Sequence, residues 1–402
     1  MTDQPRKIAF FSYYGHQKRF FATLAAHVPA SVTTCQHNVY AASATPGFLG
    51  GVVGLSRLGN EAPTETITAF SFKKYLARHP GTSAAGRVWI KRFQTAKARA
   101  YYGWAKAWLS HEKPDLLVLW NGLPLPVAAA AAAARSLNIA CLFCENGTLP
   151  KTVAMDPDGV NAASSLARRT ADFYRAVEPA PEKLASLIHT PLVARALNPR
   201  AAAPAPTETL TLPESYVFLP LQVHDDSQIL MYSPRFADMP AVVRAVAEAV
   251  GQHNQTHGTA LKIVVKEHPS DYGRIDYSAL RREFPDLLFT QTFSTAELIA
   301  GAKAVITVNS TVGIEALLSF KPVVTLGDAF FNIDGVVRHL RGNETLSDAL
   351  SDALAQPPDK ELIGKFLYHL RYHDLVAYDR RDAAASPAPA VARLLQALEA
   401  SV

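Results

Sequence analysis

Cysteine is scarce in this sequence, and the scarcity closes off two kinds of chemistry. Cys35, Cys141 and Cys144 are the only thiols in 402 residues, an odd number that builds no disulfide framework. The run Cys141-Leu142-Phe143-Cys144 sits inside an apolar, strand-like stretch instead of before a helix, and no second ligand pair accompanies it. Buried thiols are therefore expected, not a redox pair or a zinc site. Long hydrophobic runs are missing too: the most apolar stretch, Leu123 to Ala134, is broken by Pro124 and Pro126 and ends at Arg135, short of the ~20 residues that span a bilayer. The opening MTDQPRKIAFFSYYG lacks the apolar core and cleavage site of a signal peptide. A cytoplasmic protein, soluble or peripheral to a membrane, is the expectation. No repeat of solenoid period occurs.

One further absence is local. No acidic residue lies between Glu65 and Glu112, whereas Lys73, Lys74, Arg78, Arg87, Lys91, Arg92, Lys97, Arg99 and Lys106 all fall there. Trp89, Phe93, Tyr101, Trp104 and Trp108 interleave with these cations at mostly three- or four-residue spacings, as one face of a helix requires. Such a face suits an anionic membrane surface or an acidic acceptor, with Lys91, Arg92, Lys97 and Trp104 as contact residues. The competing reading is a core-facing helix with a solvated basic side. The net charge of +5 is modest and no recognition motif accompanies it, so nucleic acid is not an expected partner.

With 49% hydrophobic and 19% charged positions, the chain can bury a large core and exceeds the usual size of one domain. Short apolar runs alternate with helical patterns, which argues for parallel sheets covered by helices on both faces. KIAFFSYY (7–14) opens as a strand; 115–121, an alanine-rich helix over 127–137 and 139–146 form a βαβ unit. NPRAAAPAPTETLTLPES (198–215) has no hydrophobic period and reads as a linker. The alternation then restarts with strands at 216–223, 261–269, 287–291, 304–310 and 322–328 and helices at about 239–253, 295–301 and 311–320. The expected division is an N-terminal Rossmann-like domain over 1–200, a linker over 201–215, a C-terminal Rossmann-like domain over 216–375, and a tail with a helix over 376–402. Two such α/β domains facing each other would bind ligands where the carboxyl ends of their strands point.

Four polar clusters follow predicted strands. Glu145 precedes Asn146-Gly147, a turn dipeptide that would hold the carboxylate at a cleft wall, although a solvated loop acid fits the spacing equally. In LPLQVHDDSQI (219–229), alternation would aim Gln222, His224 and Asp226 to one side if the extended conformation continued. Such an aspartate can serve as the nucleophile of a glycosyl-enzyme intermediate; adjacent aspartates can equally cap a helix, and two alone are too few to hold a metal. Lys266 and His268 flank the next strand end, where a cation and an imidazole suit a phosphate. Ser310 and Thr311 begin a helix whose open N–H groups favour an anion, with Glu315 a turn inside, placed for a ribose hydroxyl or simply as a favourable first-turn charge.

Six segments in order, E-N-G (145–147), G-V-N-A-x-S-S-L (159–166), D-F-Y-R (172–175), L-Q-V-x-x-D-S-Q-I (221–229), K-x-H-P (266–269) and N-S-T-x-G-I-x-A-L (309–317), resemble the capsule-polysaccharide synthesis proteins that act as retaining β-Kdo transferases. The likeness covers about 139–335 and looks most like the single-module type that primes a lysophosphatidylglycerol anchor. It implies a GT-B-type glycosyltransferase with two facing Rossmann-like domains, CMP-Kdo as donor and no metal or other cofactor. Asp226 would be the nucleophile and Glu145 the acid/base. Lys266, His268, Ser310 and Thr311 would form the CMP side, beside Gln222, His224 and Glu315. Implied partners are an anionic lipid acceptor, the cytoplasmic face of the inner membrane, and the capsule synthesis and export complex. The alternatives are a UDP-sugar-dependent enzyme of the same fold and a non-catalytic component of an export complex.

Overall fold

The structure is a computed structural model and describes residues 5–44, 57–189, 211–382 and 384–401. The chain divides into two units, Met1–Ser165 with Asp374–Val402, and Leu166–His373. This corrects the division expected from sequence at both ends. Residues 166–189 belong with the second unit, where the helices Ala171–Arg175 and Pro181–His189 pack on the helix Lys360–His369. The C-terminal tail is no appendage, since it completes the first unit. Most of the expected linker lies outside the described residues.

In chain order the strands are β1 (Arg6–Ser12), β2 (Val32–Asn38), β3 (Leu116–Trp120), β4 (Ala140–Asn146), β5 (Thr152–Asp156), β6 (Tyr216–Pro220), β7 (Lys262–Lys266), β8 (Leu288–Thr290), β9 (Ala304–Thr307), β10 (Val323–Thr325), β11 (Arg338–His339) and β12 (Leu375–Ala377). The first unit's sheet has the order β12-β5-β4-β3-β1-β2. β2, β1, β3 and β4 are parallel, while β5 runs antiparallel to β4 and β12 antiparallel to β5. Strand alternation sorts its side chains into two cores. Phe11, Leu117, Leu119 and Phe143 meet the helices Ala84–Glu112 and Leu125–Ser136. Phe10, Val118, Trp120 and Leu142 meet Gly15–His27 and Ala388–Glu399 from the other side.

The same alternation settles the thiols. Cys141 belongs to one core and Cys144 to the other, so the pair points to opposite faces of the sheet. Burial pushes Cys141 up to about 11 and raises Cys144 further still, the condition of inert thiols.

The second unit carries a parallel sheet in the order β11-β10-β9-β6-β7-β8. Counted within the unit this is 6-5-4-1-2-3, the doubly wound order of dinucleotide-binding folds, and the strand order reverses between β6 and β9. One sheet face packs against Met239–His257 and Leu346–Ala355. The expected α/β class with parallel-dominated sheets is therefore what the chain has.

Candidate functional site

Each polar cluster expected from sequence does follow a strand's carboxyl end. In the second unit the switch point separates the loops after β6 and β9, and one buried hydrogen-bond cluster ties them together. Gln222 donates Nε2 to Asn309 Oδ1 at 2.9 Å, and its Oε1 accepts from the Asn309 N–H at 3.1 Å and from the Thr307 hydroxyl at 3.3 Å. Asn309 Nδ2 is directed at the carbonyls of Gln228, Tyr232 and Asp328. Both amides are buried, and a buried polar group left without these partners would cost ~1–3 kcal/mol.

Gln222 thus fixes the loops, and the expected alternation does not hold. β6 ends at Pro220 and residues 224 and 225 turn, so Gln222, His224 and Asp226 part company. His224 gives its N–H to Asp271 Oδ2 at 2.8 Å and sets its ring Nδ1 3.1 Å from the same carboxylate. Asp271, 2% exposed, also takes Arg274 Nη1 at 3.0 Å, and Arg274 Nη2 reaches the buried Asp225 at 3.3 Å. Breaking a buried ionic network by removing one partner costs about 3–5 kcal/mol. Asp271→Ala is therefore expected to lower stability by about that amount in urea unfolding and to loosen the loop that carries Asp226. A change under ~1 kcal/mol would show that this network does not hold the loop.

Asp226 itself is exposed at the start of the helix Ser227–Tyr232. Its Oδ1 accepts the Gln228 N–H at 2.9 Å, a side-chain cap. The carboxylate is held in place on the solvent side, while its neighbour Asp225 is consumed in the ion pair.

Lys266 ends β7 with its ammonium on the Phe293 carbonyl; burial, opposed in part by Glu297, holds it below the ordinary lysine range. His268 Nδ1 accepts the Ser270 N–H at 3.1 Å and starts the short turn Pro269–Asp271. Beyond β9, the helix spans Val312–Leu318, shorter than the expected 311–320. Thr311 occupies the N-cap position and the side-chain bond comes from Ser310, whose hydroxyl accepts the Val312 N–H at 3.2 Å. Glu315 lies in the first turn of that helix.

The first unit has a switch point of its own between β1 and β3, with Tyr13 and Tyr14 following β1 and Asn121 following β3. Glu145 stands beside it at the end of β4. Its Oε2 accepts Asn121 Nδ2 at 2.9 Å, and its Oε1 accepts the Asn146 N–H at 2.8 Å and Nδ2 at 3.1 Å. Gly147 then opens the β4–β5 hairpin, as the turn dipeptide predicts, and an added Cβ there would meet Thr152 Oγ1 at 1.9 Å. Asp156, at the end of β5, gathers the N–H groups of Asp158, Gly159 and Ser165.

The basic aromatic stretch divides in two. It is one helix, Ala84–Glu112, entering from the helix Thr64–Arg78. From Ala98 onward it is core: Trp104 stacks on Trp108 at 5.4 Å and both meet Phe11. Trp104 is 8% exposed, which removes it from the expected contact surface. Lys91 is paired with Glu65 at 2.7 Å, and Lys106 with Glu61, acids lying just outside the acid-free window. What remains outward is Val88, Trp89 and Phe93, the last two stacked at 5.5 Å and 62% and 49% exposed, with Arg92 exposed among them and Lys97 over the Phe93 ring.

Both units gather polar residues at a switch point, the place where open α/β sheets bind their ligands. The family described as "Capsule polysaccharide biosynthesis protein" matches residues 193–380. Protein FixF of Sinorhizobium fredii (strain NBRC 101917 / NGR234) is 36% identical over 301 residues, 73% of this chain and 68% of FixF. The chain belongs to the capsule polysaccharide biosynthesis protein family. Capsule polysaccharide modification protein LipB of Neisseria meningitidis serogroup A is 28% identical over 39% of this chain and 37% of its own length. Capsule polysaccharide export protein KpsS of Escherichia coli is 31% identical over 31% of this chain and 33% of its own. The match thus spans little more than a third of LipB and a third of KpsS. Among solved structures, Thermosulfurimonas dismutans KpsC, a β-Kdo 2,7 transferase, aligns over 96% of this chain and 99% of that one at 15% identity and a TM-score of 0.47.

Proposed function

We propose that the protein is a retaining glycosyltransferase that moves Kdo from CMP-Kdo to an anionic lipid acceptor, lysophosphatidylglycerol or a Kdo-lipid, in capsule synthesis. The observation that carries the reading is Asp226: a carboxylate fixed by a helix cap, solvent-facing, beside the switch point of a dinucleotide-type sheet. CMP would lie on the second unit, its phosphate near Ser310, Thr311 and the strand end of Lys266 and His268, with Glu315 toward the ribose. Asp226 attacks the anomeric carbon, the bond to CMP breaks, and a Kdo-aspartyl ester forms. Glu145 takes the proton of the acceptor hydroxyl, whose oxygen displaces Asp226; two inversions give retention. The chemistry runs without a metal, so transfer should survive EDTA.

The test is to incubate the protein with CMP-Kdo and a fluorescent lysophosphatidylglycerol and to read the product by mass and anomeric NMR. Failure to transfer despite CMP binding would favour a role in an export complex. Thermal stabilisation by UDP and not by CMP would favour a UDP-sugar.

Among the described residues no helix is long and apolar enough to cross a membrane. The exposed Val88, Trp89 and Phe93, edged by Arg92 and Lys97, suit shallow insertion into an anionic leaflet, at the inner membrane's cytoplasmic face. Trp89→Ser with Phe93→Ser is expected to cut co-sedimentation with phosphatidylglycerol vesicles about tenfold or more, while transfer to a detergent-dispersed acceptor continues. Unchanged sedimentation would end the membrane assignment.

A further inference from the structure

The returning C-terminal segment brings a cation to the one place in the first unit where the proposed chemistry needs control. Arg380 follows β12 and lays its guanidinium over the Trp120 ring, 4.2 Å from the ring centre. It also donates Nη2 to Asn146 Oδ1. The other end of that amide, Nδ2, donates to Glu145 Oε1, and Asn121 holds Oε2. The result is a relay from Arg380 through Asn146 to Glu145, closed on the far side by Asn121. Trp120 is itself clamped: His16 and Phe20 meet it edge-on, and Phe20 packs on Tyr378 of the same returning segment. The ring on which the guanidinium stacks is therefore fixed in place.

We propose that Arg380 is a positioning residue for Glu145, fixing through Asn146 the direction of the carboxylate and supplying the positive charge that keeps it ready to accept a proton. The proposal rests on the reading of Glu145 as acid/base. Donors on both oxygens favour the charged carboxylate, the form that can accept a proton. Burial lowers Arg380 from its ordinary range and the Glu145 charge opposes that lowering, so the two charges support each other. The remaining groups do not reverse the balance. His16, on the helix after β1, is held below the usual histidine range by burial and by Arg380 and Arg19. Cys144, on the same strand as Glu145, is raised by burial and stays a neutral thiol. Arg381 adds positive charge, and Tyr378 also acts on Arg380.

Two readouts on the full-length protein test this. With Glu labelled at the δ-carbon by 13C and Glu145 assigned by its loss in Glu145→Gln, the Glu145 titration midpoint is expected to rise by on the order of one pH unit in Arg380→Met. The acid limb of the transfer rate should move up with it, because a base is lost on protonation. Arg380→Lys keeps the charge without the planar fork and should restore most of the midpoint, while its rate stays about tenfold or more below wild type through looser aim. A folded Arg380→Met protein whose midpoint and acid limb both stay put would overturn the proposal. If the methionine variant does not fold, Asn146→Ala breaks the same relay: it should lower kcat with KM little changed, and an unchanged kcat would overturn the relay. Should Glu145→Gln transfer at the wild-type rate, the catalytic reading of Glu145 fails, and the NMR midpoint alone still decides whether Arg380 governs that carboxylate.

Discussion

Asp226→Asn is expected to abolish transfer, by ~10⁴-fold or more, with CMP binding changed little. Asparagine is the informative substitution because of the cap. Its amide oxygen can still accept the Gln228 N–H that Asp226 Oδ1 accepts, so the helix Ser227–Tyr232 keeps its start, whereas alanine would also forfeit about 1 kcal/mol of capping. What asparagine cannot supply is a carboxylate oxygen able to form the ester, and loss of a nucleophile removes the covalent route entirely. The neighbour gives an internal control. Asp225→Asn breaks the contact with Arg274 and should weaken folding more than it affects turnover of the folded fraction. If Asp226→Asn turned over normally per bound donor, or if Asp225→Asn were the dead variant with an intact fold, the nucleophile would be misassigned.

The second large effect is a trapped intermediate. Glu145→Gln should slow the acceptor step by about 10²–10⁴-fold while the first step proceeds, so intact-protein mass spectrometry after mixing with CMP-Kdo should show an added Kdo. The change costs one hydrogen bond, because the Asn121 oxygen already accepts the Leu123 N–H and Asn146 presents donors to the other carboxylate oxygen. With Asp226→Asn added, the adduct should disappear. No adduct in the single variant, together with rapid product formation, would remove Glu145 from the reaction.

The parallel units were readable because buried strands such as VFLP and AVIT are continuous apolar runs, a signal that depends on local composition alone. Strands without it were missed. β2, VTTCQHN, sits at a sheet edge with no fully buried position, and β12 is three residues whose partner β5 lies more than two hundred positions earlier. Trp104 was misplaced on the contact surface for a different reason. A helical spacing of aromatics and cations is the same whether the face meets lipid or core, and only packing separates Trp89 from Trp104. Glu145 and Asp226 were found as strand-end acids, but the residues that hold them were not. Asp271 lies 47 positions beyond His224, and Arg380 lies 234 beyond Asn146; no local pattern links such pairs. Asn309 stood in a quoted motif without a role, since an amide that binds three carbonyls looks no different in sequence from any other asparagine.

That β12 and the helix Ala388–Glu399 close the sheet begun at β1 has a consequence for synthesis. Arg6 bonds the carbonyl of Leu398, 392 residues away, and such distant pairings make folding slow. While the ribosome is still translating residues 375–398, the outer edge of β5 is unpaired and the part of the core that Ala390, Val391, Leu394 and Leu398 fill is open. The second unit, a continuous stretch of chain, can fold first. During that interval the nascent first unit presents a bare strand edge and greasy surface, the features that invite aggregation and recruit chaperones.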